Sequence, residues 1–358
     1  MAGRAQALYP RRIGVFRALM LGDLVCATPA LRALRQGWPA AHITLVGLPW
    51  AAAWAGRLPW VDDFVVFPGW PGLPEREPPP PPVQEAFIRG MRRRRLDLAI
   101  QLHGSGDVTH ALVKRFGARH TAGFHLPGAE GPARPDETLV PWPAGGHEIE
   151  RLLAVTDRLG LPRRGLQTDW PLRDEDRRRA RALLPFEGRF AIVHVGSQWP
   201  SRRWPPERFA AVAERLACQG LAIVLTGVES ERALTRAIAE RIVSGPVVDL
   251  AGRTDLWTMG GLVAEAQLLV GNDTGPAHIA AALGTPSVAV ACGSEVARWA
   301  PLDAARHRVL WSDHDCRPCS HRQCPTSHEC AQAVAVEPVA QAALASVYKE
   351  PQHVFFPG

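Results

Sequence analysis

The residue types able to do chemistry are concentrated where predicted strands end, and the fullest set lies in residues 270–278. There the sequence VGNDTGPAH leads from a strand into a helix and contains Asp273, Thr274, Gly275 and His278. Glycine lets the backbone approach a ligand, the first turn of a helix offers free N–H groups, and threonine adds a hydroxyl. The spacing therefore predicts a diphosphate-binding turn. Asp273 is expected to orient a neighbouring group or to accept from a ligand hydroxyl, with helix capping as the alternative.

A second polar turn begins at His194 and reads HVGSQWPSRRWP. Ser197 and Arg202 are candidates for phosphate contact, because a guanidinium group can bind two phosphate oxygens at once. Trp199 and Trp204 predict either packing against a base or sugar, or support of the loop itself.

Two carboxylates and one glycine-rich turn add to this set. Glu229, in the turn LTGVESE, is expected to accept from ribose hydroxyls or to complement the dipole of the next helix. Asp23 follows the first strand and is predicted to face a crevice between two domains. A carboxylate there can take the proton of an acceptor hydroxyl, with helix capping as the alternative. The turn HGSG, residues 103–106, lets backbone amides approach a ligand.

Parallel sheets are needed to gather these turns, since ligands of open α/β sheets bind beyond the carboxyl ends of the strands. An alternation of strand and helix patterns predicts two such sheets. The first helix is expected to have Thr28 as its N-cap and Pro29 at its first position. In the first half we predict strands at 13–16, 41–47, 64–67 and 97–102. In the second half we predict strands at 190–195, 221–226, 246–250, 267–270 and 286–291, and helices at 205–219, 229–242, 255–266 and 275–283.

Loops and length indicate how the chain is divided. Residues 68–83 contain eight prolines and predict an exposed loop or lid, and residues 127–146 predict a second loop. At 358 residues the chain has room for two domains, which we place at 1–175 and 186–340. We expect the tail, 341–358, to pack back on the first domain.

Composition and charge restrict the class of protein. With 46% hydrophobic and 21% charged residues the chain is an ordinary globular sequence, and no stretch reaches the ~18–20 apolar residues of a membrane span. We therefore expect a cytoplasmic protein. Its net charge of +6 fits phosphate-bearing substrates or the anionic face of the inner membrane. The run Arg92–Arg95 predicts a solvated helix end or a contact with acidic headgroups. No nucleic-acid partner is predicted, because the chain has no recognised binding module.

Four of the seven cysteines form a C-terminal cluster with interleaved histidines, and two interpretations of it stay open. One is a structural zinc or iron site, and the other is a set of reduced or partly disulfide-linked cysteines. The cluster consists of Cys316, Cys319, Cys324 and Cys330. The other three cysteines, Cys26, Cys218 and Cys292, are expected to be inert core thiols.

Taken in order, these motifs resemble the ADP-heptose:lipopolysaccharide heptosyltransferases, glycosyltransferase family 9. The matching segments are LGDLV and TPALRAL near the start, Ser197 with RRWP, TGVE, DLAGR and GNDTGPAH. The resemblance implies a GT-B fold, that is, two Rossmann-like doubly wound domains facing a central cleft. It also implies an inverting transfer without an obligatory metal, with ADP-heptose as donor and a lipopolysaccharide inner-core precursor as acceptor.

The resemblance also assigns roles to residues. Asp23 is the expected general base, and the first domain is expected to bind the acceptor. The acceptor set predicted there comprises Arg17, Gly22, His103 and Ser105. The donor set in the second domain comprises Ser197, Arg202, Glu229, Thr254, Asp273, Thr274, Gly275 and His278.

Two departures from the family pattern leave alternatives open. Arg202 replaces a common lysine, and Leu19 and Met20 replace small polar residues, which puts the acceptor in question. A glycosyltransferase acting on a protein such as an autotransporter, or on another surface glycan, is the first alternative. The second is a nucleotide-sugar-binding protein without turnover, and the presence of Asp23 argues against it.

Overall fold

A computed structural model describes residues 8–128 and 134–348, and in it the chain divides into two compact units. The first comprises Met1–Pro171 and the second Leu172–Gly358. The second unit therefore begins earlier than residue 186, since it includes the helix Asp174–Ala182, which packs on the helix Leu256–Glu265.

The first unit contains a six-stranded sheet in which every pair of neighbouring strands is parallel. The strands lie in the order β3-β2-β1-β4-β5-β6, which is the doubly wound order. The strands are β1 (Arg12–Phe16), β2 (His42–Gly47), β3 (Asp63–Val66), β4 (Leu98–Gln101), β5 (His120–His125) and β6 (Glu137–Pro141). The helices are α1 (Leu21–Cys26), α2 (Thr28–Gly37), α3 (Ala52–Ala55), α4 (Pro81–Arg93), α5 (Asp107–Lys114) and α6 (Glu148–Arg158).

The second unit repeats this arrangement with a parallel sheet in the order β12-β11-β10-β7-β8-β9. The strands are β7 (Phe190–His194), β8 (Ala222–Thr226), β9 (Val247–Asp249), β10 (Leu268–Asn272), β11 (Ser287–Val290) and β12 (His307–Leu310). The longer helices are α7 (Asp174–Ala182), α8 (Pro206–Ala217), α9 (Arg232–Ala239), α10 (Leu256–Glu265), α11 (Gly275–Leu283) and α14 (Val336–Tyr348). Two short helices, α12 (Val296–Trp299) and α13 (Glu329–Gln332), lie between β11 and α14.

The apolar runs of the sequence form these sheets because parallel strands are covered by helices on both faces. Val193, Val224 and Val270 lie on three adjacent strands of the second sheet and are fully buried. Helices α8 and α14 cover one face of that sheet and pack on each other. Within the described residues, no helix is long and apolar enough to cross a membrane.

Several local predictions are wrong in the first unit. Thr28 is the first residue of α2 rather than its N-cap, which is Ala27, and its hydroxyl donates to the carbonyl of Val25 at 2.7 Å. The proline-rich segment 68–83 does not stay a loop to its end, because α4 begins at Pro81, where the missing N–H group carries no cost. The predicted loop 127–146 contains β6, and its residues 129–133 lie outside the described residues.

Two predictions for the second unit have different outcomes. The described part of the tail, 341–348, belongs to α14 and packs on α8, β10 and β11 of its own unit, and its packing on the first domain stays a prediction. Cys218 is exposed at the end of α8, not in the core, whereas Cys26 and Cys292 are buried as predicted.

Candidate active site

Asp23 lies in the first turn of α1, just beyond the carboxyl end of β1. Its side chain is 22% exposed, and its Oδ1 lies 3.7 Å from Nη2 of Arg17. The same arginine donates from Nε to the backbone carbonyl of Asp23 at 2.7 Å. A carboxylate with this exposure, held beside a fixed cation, can accept a proton from a bound hydroxyl.

Arg17 itself is enclosed by the protein, with 1% of its side chain exposed. It also donates to the backbone carbonyl of Leu102 and, from Nη2, to Oε1 of Glu148 at 3.0 Å. Direct contact between Arg17 and an acceptor, as predicted from the sequence, is therefore not supported. Its guanidinium group instead links Asp23 to the turn after β4 and to α6.

His103 is also buried, and its hydrogen bonds define its tautomer. Its Nδ1 accepts from the backbone N–H of Ala18 at 3.2 Å, so the ring proton is on Nε2 and points to Oε1 of Glu75 at 3.2 Å. The ring stacks on Phe16, with 5.2 Å between centroids. Burial acts to raise the pKa of Glu75, but the hydrogen bond from His103 outweighs it and that pKa is lowered. Glu75, in the proline-rich loop, is thus a polar group that the sequence analysis missed.

The turn after β4 is held from beneath by Gln101. This buried side chain donates to Oγ1 of Thr109 at 2.7 Å and accepts from the backbone N–H of Phe124 at 2.9 Å. Ser105 lies in this turn and is half-buried. Gly22, the remaining residue of the predicted acceptor set, lies in α1 beside Asp23 and is also half-buried.

In the second unit, the turn between β10 and α11 has the predicted form. Thr274 is the N-cap of α11 and Gly275 its first residue, so free backbone N–H groups lie at this end of the helix. Asp273 does not cap the helix. Its Oδ2 accepts from the hydroxyl of Ser294, which follows β11 and is buried. His278 lies in the first turn of α11, 8% exposed, with its ring near Trp299.

Asn272, the last residue of β10, connects this turn to the turn after β7. It is 1% exposed, and its amide donates to the backbone carbonyl of Val195 at 2.8 Å. Its Oδ1 accepts from the backbone N–H of Trp204 at 2.8 Å. The sequence motif contains Asn272, but nothing local in it predicts that this residue holds the two turns together.

The adjacent arginines of the turn after β7 have different surroundings. Arg203 donates to the backbone carbonyl of Ser197 from Nε at 3.0 Å and from Nη2 at 2.7 Å, and lies 3.4 Å from Glu231. Arg202 lies over the ring of Trp199, and its Nη2 contacts the carbonyl of Cys319 at 3.4 Å. Among the described residues, its buried Nε has no hydrogen-bond partner. The Nε of Arg202 is therefore an unfilled donor, whereas the Nε of Arg203 donates to Ser197.

The two tryptophans of this turn also differ. Trp204 is a core residue, 1% exposed, packed edge-on against Phe209 and donating to the carbonyl of Val334 at 3.0 Å. The alternative that it packs on a base or sugar is wrong for Trp204. Trp199 is half-buried under Arg202.

Glu229 and Thr254 lie at the carboxyl ends of β8 and β9, which are neighbours in the sheet. The backbone N–H of Gly252 donates to the carbonyl of Gly227 at 2.9 Å and so joins the two turns. Gly252 has a φ of +72°, and a Cβ there would overlap the carboxylate of Glu229. Glu229 is 67% exposed, with its carboxylate 3.2 Å from Arg232, and is accessible to ligand hydroxyls.

His194 is the last residue of β7, and the sequence motif predicts no role for it. Its Nδ1 lies 3.0 Å from the hydroxyl of Thr226, and burial lowers the pKa of His194 to about 4. The ring is consequently neutral at physiological pH.

The cysteine cluster does not form a metal site. Within residues 8–128 and 134–348, no group of three or more cysteines, histidines or carboxylates is placed to hold a metal ion, so the zinc or iron prediction is not supported. All seven cysteines are free thiols. Cys330 donates to the carbonyl of Cys292 at 2.9 Å, and the backbone N–H of Cys319 donates to the carbonyl of Gly293 at 2.8 Å. Two residues of the cluster therefore bind the segment 292–293, which leads to Ser294, the partner of Asp273, and Cys319 also contacts Arg202.

Comparison with known proteins identifies the family. The model of glycosyltransferase family 9 (heptosyltransferase) matches residues 85–329. Lipopolysaccharide heptosyltransferase 3 of Escherichia coli is 25% identical over 290 residues, which cover 78% of this chain and 83% of the relative.

Two solved structures share the fold. Glycosyl transferase family 9 from Veillonella parvula aligns with a TM-score of 0.76 at 22% identity, covering 95% of this chain and 98% of the other. E. coli ADP-heptose lps heptosyltransferase II aligns with a TM-score of 0.73 at 22% identity, covering 94% and 98%. The prediction of an α/β fold of the GT-B type, with two Rossmann-like units, is confirmed. The chain is a glycosyltransferase that belongs to glycosyltransferase family 9, the heptosyltransferases.

Proposed function

We propose that this enzyme transfers heptose from ADP-heptose to the inner core of a lipopolysaccharide precursor, of the lipid A–Kdo type, with inversion at the anomeric carbon. Asp23 acts as the general base. The acceptor hydroxyl oxygen attacks the anomeric carbon as Asp23 takes its proton, and the bond to the diphosphate breaks with ADP as the leaving group. Relatives named lipopolysaccharide heptosyltransferase support the choice of donor and acceptor.

The assignment of Asp23 rests on two properties of the residue: its side chain is accessible to a substrate, and contacts with Arg17 fix its position. Its side chain is 22% exposed, while its backbone carbonyl and its Oδ1 are both held by the buried Arg17. A general base must reach a substrate proton without moving, because misplacement of a reacting group by about 1 Å can cost on the order of 100-fold in rate.

The second unit supplies the donor site. The N-terminus of α11 offers N–H groups to the diphosphate, and Arg202 adds a positive charge with an unfilled donor at Nε. Glu229 accepts from the ribose hydroxyls, and Asp273, oriented by Ser294, accepts from a hydroxyl of the sugar. Neutralisation of the departing diphosphate, rather than an obligatory metal ion, stabilises the transition state.

Because the proposed acceptor is anchored in the inner membrane, the enzyme must contact the cytoplasmic face of that membrane. The basic end of α4, with Arg92 and Arg93 in its last turn, supports peripheral attachment to anionic headgroups.

The decisive experiment compares Asp23→Asn with Asp157→Asn, a control at an exposed position of α6. With ADP-heptose and heptose-deficient lipopolysaccharide, Asp23→Asn should lose at least ~100-fold in kcat, the order of magnitude of general-base catalysis. It should bind ADP with unchanged affinity, and Asp157→Asn should match wild type in both assays. Wild-type turnover by Asp23→Asn would remove Asp23 as the base.

Two further assays test the substrates. We expect ADP-heptose to be used in preference to UDP- and GDP-sugars, and heptose-deficient lipopolysaccharide in preference to an autotransporter passenger protein. Transfer to the passenger protein alone would reassign the acceptor while keeping the enzyme class.

A further inference from the structure

Behind Asp23, a buried cation is shared by two carboxylates. Nη2 of Arg17 lies 3.0 Å from Oε1 of Glu148 and 3.7 Å from Oδ1 of Asp23. Arg17 and Glu148 are almost wholly enclosed, with 1% and 2% of their side chains exposed, whereas Asp23 reaches the surface. One end of the trio is therefore accessible to a substrate and the other end is not.

The burial of Glu148 is unusual for a glutamate in the first turn of a helix. Taking a carboxylate out of water is unfavourable unless it is paired and hydrogen-bonded. Glu148 has both kinds of compensation, because Arg17 donates to it and the N-terminus of α6 favours a negative charge. The next acidic residue of the same turn, Glu150, is exposed. Only one of the two glutamates is therefore directed at the arginine.

The remaining contacts of Arg17 show what Glu148 holds in place. The guanidinium donates to the backbone carbonyls of Asp23 and Leu102, so it joins α1 to the end of β4. Glu148 binds Nη2, the same nitrogen that faces the Asp23 carboxylate, from an element 131 residues away. Because a guanidinium is planar and its donors point in fixed directions, restraint of Nη2 by Glu148 also fixes how the guanidinium group of Arg17 faces Asp23.

We propose that Glu148 is a positioning residue for the transfer reaction, acting through Arg17 to hold Asp23 in place and to keep it basic. This inference rests on the proposed role of Asp23. If no second carboxylate lay beside Arg17, its positive charge would stabilise ionised Asp23 more strongly. Asp23 would then be a poorer proton acceptor. The negative charge of Glu148 partly offsets the positive charge of Arg17. Asp23 therefore stays ionised but can still accept a proton.

Other titratable groups on the neighbouring elements already have partners of their own. His103 accepts from Ala18 at Nδ1 and faces Glu75, and His147 accepts from the backbone N–H of Ile149 at Nδ1. On α2, Arg32 pairs with Asp169 at 2.8 Å. On α6, Arg151 donates to the carbonyl of Gly145 and lies over the ring of Trp142. The Glu148 carboxylate thus shares Nη2 of Arg17 with the carboxylate of Asp23.

The test is the pH profile of kcat for Glu148→Gln, compared with Glu150→Gln. Both changes remove one charge from the same helical turn, but only the first acts on Arg17. With Glu148→Gln we expect the acidic limb of the profile to move to lower pH by roughly one unit, and the plateau kcat to fall about 10-fold. KM for ADP-heptose should change less than about twofold, because the donor groups lie on other elements. Glu150→Gln should match wild type.

A variant at Arg17 tests the sign of the effect. Arg17→Gln removes the cation and leaves two carboxylates near each other, so the acidic limb should move to higher pH, opposite to Glu148→Gln. A packing defect alone would lower the stability of both variants. It would not move their acidic limbs in opposite directions. Titration with ADP, whose proposed site is in the second unit, checks that each variant is folded.

The outcomes separate this inference from the proposed function. If Asp23→Asn is inactive and the acidic limb of folded Glu148→Gln coincides with that of wild type, the positioning role is wrong and Asp23 remains the base. If Asp23→Asn keeps wild-type turnover, the assignment of the base fails first. A limb that moves to higher pH in Glu148→Gln would also overturn the inference.

Discussion

The side-chain Oδ1 of Asn272 accepts a hydrogen bond from the backbone N–H of Trp204 at 2.8 Å, and so ties the end of β10 to the end of the turn after β7. The amide of the same asparagine donates to the carbonyl of Val195, at the start of that turn. A single buried amide therefore holds both ends of the segment that carries Ser197 and Arg202. The geometry of the proposed nucleotide-sugar site therefore depends on the N–H group of the Asn272 side chain as well as on its oxygen.

Asn272→Asp should damage both stability and donor binding. The carboxylate keeps the acceptor for Trp204 but places negative charge against the carbonyl of Val195, where the amide had donated. We expect the free energy of unfolding to fall by about 2–3 kcal/mol, and ADP affinity to fall about 10-fold or more. Chemical denaturation and calorimetric titration with ADP measure the two effects. Gln267→Glu makes the same chemical change at the exposed position before β10 and should alter neither quantity.

Arg202 and Arg203 are adjacent, yet their replacement by alanine should have different effects. Arg202→Ala removes a cation with an unfilled donor at Nε, so ADP affinity should fall roughly 10- to 100-fold, while adenosine, which lacks the diphosphate, should bind as before. Arg203→Ala removes the hydrogen bonds to Ser197 and the contact with Glu231, so it should lower stability and weaken both ligands alike. Equal loss of ADP and adenosine in Arg202→Ala would count against a phosphate contact.

The strands and the longer helices were predictable because their signals are local. The helix predicted at 275–283 has the bounds of α11, and the predicted strand 190–195 is β7 with one residue fewer. Apolar runs bounded by glycine and proline are enough to locate such elements, since strands buried on both faces need apolar side chains throughout. The same signal could not locate the start of α4, because a proline ends one element and begins another equally well.

The positions of the site residues were predictable, but their hydrogen-bond partners were not. Asp23, Asp273 and Arg202 lie at strand ends, which follow from the parallel order of the sheets. Glu148 is 131 residues from Arg17 in the sequence, and nothing local in α6 distinguishes it from the exposed Glu150. Such partners depend on tertiary packing. A buried acidic residue is recognisable only once the fold shows where its helix lies.

Two glycines in the turn after β4 should respond differently to alanine. Gly104 and Gly106 both have positive φ, at +65° and +89°, so alanine costs about 1–2 kcal/mol at either position for the backbone alone. A Cβ at Gly104 meets nothing within 4 Å, but one at Gly106 would overlap the backbone carbonyl of Phe124 on β5. Gly106→Ala should therefore destabilise the protein by at least ~2 kcal/mol more than Gly104→Ala in urea denaturation. Similar losses would mean that the turn can move away from β5.

His194 should make the stability of the protein depend on pH. Burial lowers the pKa of His194 to about 4, whereas an unfolded histidine titrates near ~6.5. Between these values the unfolded chain binds a proton that the native ring does not, so the free energy of unfolding falls as the pH is lowered. The contribution is complete above pH ~6.5 and is lost by pH ~4, and it amounts to about 3 kcal/mol at most. His307, whose pKa burial also lowers to about 4, acts in the same direction.

Replacing His194 by glutamine isolates this contribution. Glutamine keeps a polar group near Thr226 but does not titrate, so unfolding free energies measured from pH 7 to pH 4 should fall less steeply than in wild type. The part due to His307 should remain. Carboxylates that titrate in the same range are common to both proteins and cancel in the difference. His321→Gln, at an exposed position, should leave the wild-type slope unchanged. If His194→Gln and wild type give parallel curves, the native ring must take up a proton at the same pH as the unfolded chain, and a neutral histidine at the end of β7 is ruled out.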